Sequence, residues 1–190
     1  RNRDMTLPSA TAWYLNSENY ALHLPENCLA NVPLHGIRVM HFDDYLLEFW
    51  FKADQTQAEG AATLLSVGDS LLEVTLKESS VQMICGKKTK TIAIGRYFDN
   101  QWHHFALNVL NGTRGASTLY IDGNAVQQFA AQEIPALASD YLHLGAKGTI
   151  NADGITTYSQ YFPHAAFDEV RIWKGTYTAG FIREHMSKRV

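Results

Sequence analysis

From Trp13 onward the chain is a succession of short apolar runs divided by turn residues. Runs of this length suit strands, and their regular spacing is that of a β-sandwich or barrel. The pattern predicts strands at 20–24, 45–52, 63–67, 71–76, 81–85, 89–94, 102–110, 117–121, 125–129, 141–144 and 166–173. Residues 1–10 are polar and aperiodic, so 1–12 read as an N-terminal linker or tail and 13–190 as one domain.

Turn chemistry supports these boundaries. Asp122-Gly123 divides Leu119-Tyr120-Ile121 from Ala125-Val126, the signal of a tight type I′ hairpin. Gly68-Asp69 separates two apolar runs, and Asn111-Gly112 through Gly115 supplies residues that tolerate positive φ. One helix is expected, at the end: Thr178 is placed to cap it, and Phe181, Ile182, His185 and Met186 recur at helical spacing.

Alternation assigns the faces of each strand. In 102–110, Phe105, Leu107 and Val109 form the core face, and Trp102, His104, Ala106 and Asn108 the other. In 166–173, Val170 and Ile172 share a face with Asp168, opposite Phe167, Glu169, Arg171 and Trp173. Glu169 and Arg171 are expected to pair on that exposed face, contributing about 0–1 kcal/mol.

Composition narrows the class. At 190 residues, with 46% apolar and 18% charged side chains, the chain is long enough to bury a core and too apolar to be disordered. A net charge of −3 and a single short basic cluster, Lys87-Lys88-Thr89-Lys90, count against nucleic-acid binding. The most apolar stretch, 45–51, is strand-length and holds Glu48, so no membrane insertion is expected. The chain begins at Arg1 and reads as a mature or excised piece of a larger multidomain protein. Cys28 and Cys85 make no disulfide framework; a single pair and two separate small hydrophobes both stay open. Asn111-Gly112-Thr113 is a sequon, relevant only in a eukaryotic secretory host.

Five motifs occur in order: Leu47-Glu48-Phe49-Trp50-Phe51-Lys52, Trp102-His103-His104-Phe105-Ala106-Leu107, Thr118-Leu119-Tyr120-Ile121-Asp122-Gly123, Leu142-His143-Leu144-Gly145 and Phe167-Asp168-Glu169-Val170-Arg171-Ile172-Trp173. Together they resemble the laminin G-like jelly-roll modules of the concanavalin A-like lectin/glucanase superfamily, over about residues 13 to 186. The resemblance implies an all-β fold: an antiparallel β-sandwich, a jelly roll of two sheets, here with a short C-terminal helix. It also implies an extracellular or cell-surface module that binds carbohydrate or protein. A minority of the superfamily hydrolyse glycosides, and some members carry calcium.

The chain lacks the carboxylate strand of those hydrolases, a Glu-x-Asp-x-x-Glu arrangement. A retaining glycosidase needs two carboxyl groups about 5–5.5 Å apart on one substrate. Asp43-Asp44 and Asp168-Glu169 are adjacent pairs, and on an extended strand neighbours diverge. His103-His104 fails in the same way, and no HExxH or other close metal spacing is present. No catalytic residue is expected.

Two further candidates lie on or near the long stretch 145–165, which carries no strand signal. Tyr158, Tyr161 and Phe162 are candidate ligand-binding aromatics, with anchoring of the loop as the alternative. Asp69, Asn151 and Asp153 are candidate calcium ligands, although Ala146-Lys147-Gly148 stands where calcium-binding members carry acidic residues. Calcium is the one cofactor left open. The expected function is a non-catalytic recognition module for a glycan or protein ligand. A structural spacer, or a glycoside hydrolase lacking the usual motif, are the alternatives.

Overall fold

A computed structural model describes residues 12–16, 19–34, 43–54, 61–113, 115–139 and 141–188; most of the expected N-terminal tail lies outside them. The strands are β1 (Ala12–Asn16), β2 (Asn19–Leu24), β3 (Ala30–Pro33), β4 (Asp44–Lys52), β5 (Ala62–Val67), β6 (Leu72–Lys77), β7 (Ser80–Cys85), β8 (Lys88–Ala93), β9 (Trp102–Leu110), β10 (Ser117–Ile121), β11 (Asn124–Phe129), β12 (Tyr141–Leu144), β13 (Lys147–Ile150), β14 (Thr156–Ser159) and β15 (Ala165–Lys174). Helix α1 (Ala179–His185) follows.

These strands form a jelly-roll sandwich of two antiparallel sheets. One sheet has the order β1-β2-β15-β4-β9-β10-β11 and the other β3-β12-β5-β6-β7-β8, while β13 and β14 make a separate hairpin. The inner faces bury Phe49, Phe51, Phe105, Leu107 and Val109 from the first sheet against Leu65, Val67, Val74, Leu76 and Met83 from the second. The Phe49 ring stacks on Phe105 at 4.8 Å and tilts against Phe167 at 5.8 Å. Each such ring contributes about 1.5–3 kcal/mol by leaving water.

Local chemistry sets the turns and the helix. Asp122 and Gly123 have φ of 50° and 73°, which fits the expected type I′ geometry between β10 and β11. The Thr178 hydroxyl accepts the Phe181 amide at 3.1 Å and caps α1. Ile182 is the fully buried residue of that helix and packs on Leu46, Ala106 and Tyr120.

Two expectations are corrected. First, β15 does not alternate strictly. Asp168 pairs with Trp50 and Arg171 with Glu48, so three steps on β15 match two on β4. The extra residue is absorbed at Glu169, whose φ is 50°. Phe167 therefore joins Val170 and Ile172 against the core, and Asp168 falls with Arg171 and Trp173 in register with the outward side of β4. Glu169 does pair with Arg171, Oε2 to Nη2 at 2.5 Å, but both side chains are largely buried rather than exposed. Second, the stretch 145–165 is not without strands. Its β13–β14 hairpin consists of two four-residue strands rich in threonine, too short and polar to register as apolar runs. Strands β1 and β3 also add to the predicted set.

Among the described residues no helix is long and apolar enough to cross a membrane. Cys28 and Cys85 are free thiols packed at the margin of the core. Burial and the nearby Glu133 push the Cys85 thiol up to about 11.

Candidate ligand-binding site on the six-stranded sheet

The outward face of the six-stranded sheet is polar in a way the apolar runs do not announce. Strand register aligns Asn31, His143, Ser66, Glu73, Ile84 and Thr89 in one row across all six strands. A parallel row runs Thr63, Thr75, Gln82 and Thr91 across β5 to β8. Partners in register share a face, so these side chains form a continuous stripe opposite the core set Leu65, Leu72, Val74 and Met83.

The β13–β14 hairpin lies over this stripe. Positive φ at Gly145 (78°) turns the chain back after β12. The Ser66 hydroxyl donates to the Ala146 carbonyl at 2.9 Å and accepts the Gly148 amide at 3.1 Å. Lys147 Nζ sits 2.9 Å from Glu73 Oε2, and the Thr75 hydroxyl donates to Glu73 Oε1 at 3.3 Å. This ion pair is what holds Oε2. Thr63 Oγ1 is buried without a hydrogen-bond partner.

Aromatic rings gather at His143. Tyr158 meets its ring edge-on at 5.2 Å, and Tyr141 lies nearly parallel to it at 6.3 Å. Asn31 Oδ1 lies 2.6 Å from His143 Nδ1, which assigns the proton to Nδ1 in the neutral ring. Burial holds the His143 imidazole below its ordinary value. Tyr141 keeps 42% of its surface exposed, enough to offer a ring to a ligand.

The sequence candidates separate in this setting. Tyr158 belongs to the aromatic group around His143. Tyr161 is half-buried on the connection to β15. Phe162 is fully buried and packs on Phe98 and Phe167, so its ring has no surface for a ligand. Asn151 shapes the hairpin turn: its Oδ1 accepts the amides of Asp153 and Ile155 at 3.0 and 2.8 Å. Asp153 is exposed on that turn, and Asp69 is exposed on the separate β5–β6 turn. With the Asn151 oxygen so engaged, these three do not supply the six to eight oxygens that calcium takes. No group of three or more His, Cys, Asp or Glu side chains fit to hold a metal occurs among the described residues.

Sequence reasoning passed over His143, Glu73, Ser66 and Thr75. A signal existed in Leu72-Glu73-Val74-Thr75-Leu76-Lys77, where polar and apolar positions alternate cleanly. The polar members mark the outward face.

The outward face of the other sheet is built for a different purpose. Trp173 Nε1 donates to Glu48 Oε1 at 2.8 Å, His104 Nε2 lies 3.4 Å from Glu48 Oε2, and Arg171 Nη1 lies 3.5 Å from Oε1. Burial works to raise the Glu48 carboxyl, but these donors outweigh it and hold the group below its ordinary value. Trp50 Nε1 donates to the Met186 carbonyl at 2.8 Å, and Arg171 donates to the carbonyls of His185 and Lys188. This network fastens the C-terminal helix. His103 and His104 point to opposite faces, as alternation requires: His104 meets Glu48, and His103 meets Asp99 and Asp122.

Comparison with known proteins agrees with this architecture. The family model Laminin_G_3, described as the concanavalin A-like lectin/glucanases superfamily, matches residues 30–183. No curated protein is significantly similar in sequence. Among solved structures, the binding domain of Paraclostridial Mosquitocidal Protein 1 aligns with a TM-score of 0.69 and 13% identity, over 95% of this chain and 46% of that one. The botulinum neurotoxin serotype D binding domain gives 0.68 and 12%, over 95% and 45%. The serotype G binding domain gives 0.69 and 14%, with the same coverage. The chain spans less than half the length of these neighbours, and at such identities they share its fold. The chain belongs to the concanavalin A-like lectin/glucanases superfamily, as a laminin G-like domain.

Proposed function

We propose that this domain is a non-catalytic recognition module that binds carbohydrate on the outward face of its six-stranded sheet. The observation that carries this reading is the polar stripe, edged by the rings of Tyr141 and Tyr158. Sugars are bound by such a pairing: ring faces stack on aromatic side chains, and hydroxyls meet side-chain amides, hydroxyls and carboxylates. Glu73 is the sole carboxylate in the two rows, whereas glycoside hydrolysis employs a pair. The similarity to solved binding domains, of which this chain spans less than half, supports a binding role within a larger protein.

Glycan-array and affinity-electrophoresis measurements on the folded domain test this. Saccharide binding that falls at least tenfold in Tyr141→Ala is the expected result. An empty array, or binding indifferent to that substitution, overturns it. A second reading, a protein ligand, is favoured by one observation: Ile150 and Ile155 flank the hairpin turn with 48% and 60% of their surface exposed. Binding to a protein partner that is lost in Ile155→Ser and kept in Tyr141→Ala would select that reading.

A further inference from the structure

The hairpin β13–β14 and the helix α1 each cover the outward face of one sheet, and their seats differ in kind. Helix α1 sets Ile182 on Leu46, Ala106 and Tyr120. Lifting it would return apolar surface to water at about 25 cal/mol per Å². The hairpin instead sets Lys147 and Gly148 on Glu73 and Ser66. Water replaces such hydrogen bonds at small net loss. A cover on a polar seat is the kind that opens locally while the rest of the fold stays closed.

The floor under that cover is also incompletely satisfied when closed. Thr63, Ser66, Glu73 and Thr75 face away from the core yet are at most 2% exposed. Thr63 Oγ1 has no hydrogen-bond partner there, and Glu73 Oε2 depends on the Lys147 ammonium of the cover at 2.9 Å. A purely structural interface would cost less with apolar residues at these positions.

We propose that the β13–β14 hairpin is a reversible cover, that the floor of Ser66, Glu73, Thr75 and Thr63 binds the hydroxyls of a saccharide once the cover lifts, and that His143 is its catch. The cover serves the carbohydrate site described above and rests on that reading. Its catch is visible in the packing at Gly148. A Cβ there would lie 2.8 Å from His143 Cδ2 and 2.9 Å from Nε2, so the hairpin backbone rests directly on the imidazole. Tyr158 presses on the same ring.

Acid releases the catch. Among the described residues, the groups around His143 are Asn31 of β3, Ser66 of β5, Tyr141 of β12 and Tyr158 of β14. Lys147 of β13 and Glu73 of β6 pair with each other nearby. Among these residues a proton on the seated ring gains no dedicated counter-ion. With the hairpin lifted, the ring meets water and returns toward its ordinary value of 6.5. The open form thus binds protons more readily. The opening constant should rise by up to about tenfold per pH unit below about 6.5, until the seated form itself protonates.

Hydrogen exchange on the intact chain, corrected for the intrinsic chemical rate, tests the cover between pH 7.5 and 5.0. Amides of 147–159 are expected to exchange faster than those of β4 and β9 at every pH, and the gap is expected to widen below pH 6.5. His143→Gln should abolish the widening, and Gly148→Ala should give fast hairpin exchange throughout. Hairpin amides that exchange in step with β4 and β9, or an unaltered pH dependence in His143→Gln, would overturn the cover. A soluble panel of xylan, β-glucan, mannan and galactan tests the floor. Thr75→Ala and Ser66→Ala should weaken the bound polysaccharide at least tenfold; unchanged affinity overturns the floor. If nothing in the panel or on the array binds, the carbohydrate reading fails, while the exchange data judge the cover independently.

Discussion

Asp122 Oδ2 lies 2.9 Å from His103 Nδ1, tying the β10–β11 turn to the start of β9. Asp99 holds the other ring nitrogen at 3.1 Å, and Tyr97 stands edge-on against the ring at 4.5 Å. Burial works to lower the His103 imidazole, but the two carboxylates outweigh it and raise the group above its ordinary value. Asp122 is correspondingly held low: burial opposes this, and the His103 and His104 hydrogen bonds prevail.

This arrangement sets a pH dependence of stability. A raised histidine stabilises the fold fully below its unfolded value of 6.5, and the gain disappears as pH rises through its folded value. Urea denaturation from pH 6 to pH 8.5 should show wild-type stability falling relative to His103→Gln. Two curves that run parallel over that range would remove the clamp from the account. The sense is opposite to that at His143, whose depressed imidazole weakens its surroundings as pH falls.

Phe49 stacks on Phe105 and touches Phe51 and Phe167 in the centre of the sandwich. Phe49→Ala should cost about 3–5 kcal/mol. For a domain of this size each kcal/mol shifts Tm by about 2–4 °C. Thermal unfolding followed by circular dichroism checks this, and a loss under about 1 kcal/mol would contradict the packing described.

Trp173→Phe should remove the indole hydrogen bond to Glu48 and leave a buried carboxylate short of a donor. The expected cost is about 1–3 kcal/mol. Trp173→Phe combined with Glu48→Gln should recover part of that loss, because a neutral amide needs the lost donor less than a buried carboxylate does. A double variant as unstable as the sum of the two single ones would show that the pair acts independently.

The sequon at Asn111 is closed in the folded domain. Its side-chain amide donates to the Ile134 carbonyl at 2.6 Å and its oxygen accepts the Gln132 amide at 3.1 Å. Asn111 is 9% exposed, so a glycan on that nitrogen has no room beside the Ile134 contact. Intact-mass measurement of folded monomer secreted by a eukaryotic host should therefore show Asn111 unmodified. A fully glycosylated, stable monomer would contradict this.

Much of the fold is legible in the sequence because alternation and turn chemistry are local. The strand 102–110 and its inward set Phe105, Leu107 and Val109 follow from period two alone, and Thr178 announces its helix. The bulge at Glu169 is not legible. No glycine or asparagine marks it, and one inserted residue reverses the parity of the positions before it. The site escapes for another reason. Asn31 and His143 meet across 112 positions of sequence, and Glu73 reaches Lys147 through strand register. Register is a property of the sheet, and a single strand carries no record of its neighbour. Tyr158 alone of the candidate aromatics joins the His143 group, since aromatic character does not distinguish a ring that packs inward, as Phe162 does, from one that packs outward.

The position of β15 has a consequence for biosynthesis. It pairs with β2 on one side and β4 on the other, so the second and fourth strands meet only through a strand made long after both. A nascent chain still on the ribosome holds both neighbours with open edges until Lys174 has emerged. Completion of the seven-stranded sheet therefore waits for β15, and chains that stop before Ala165 present two unsatisfied strand edges to one another.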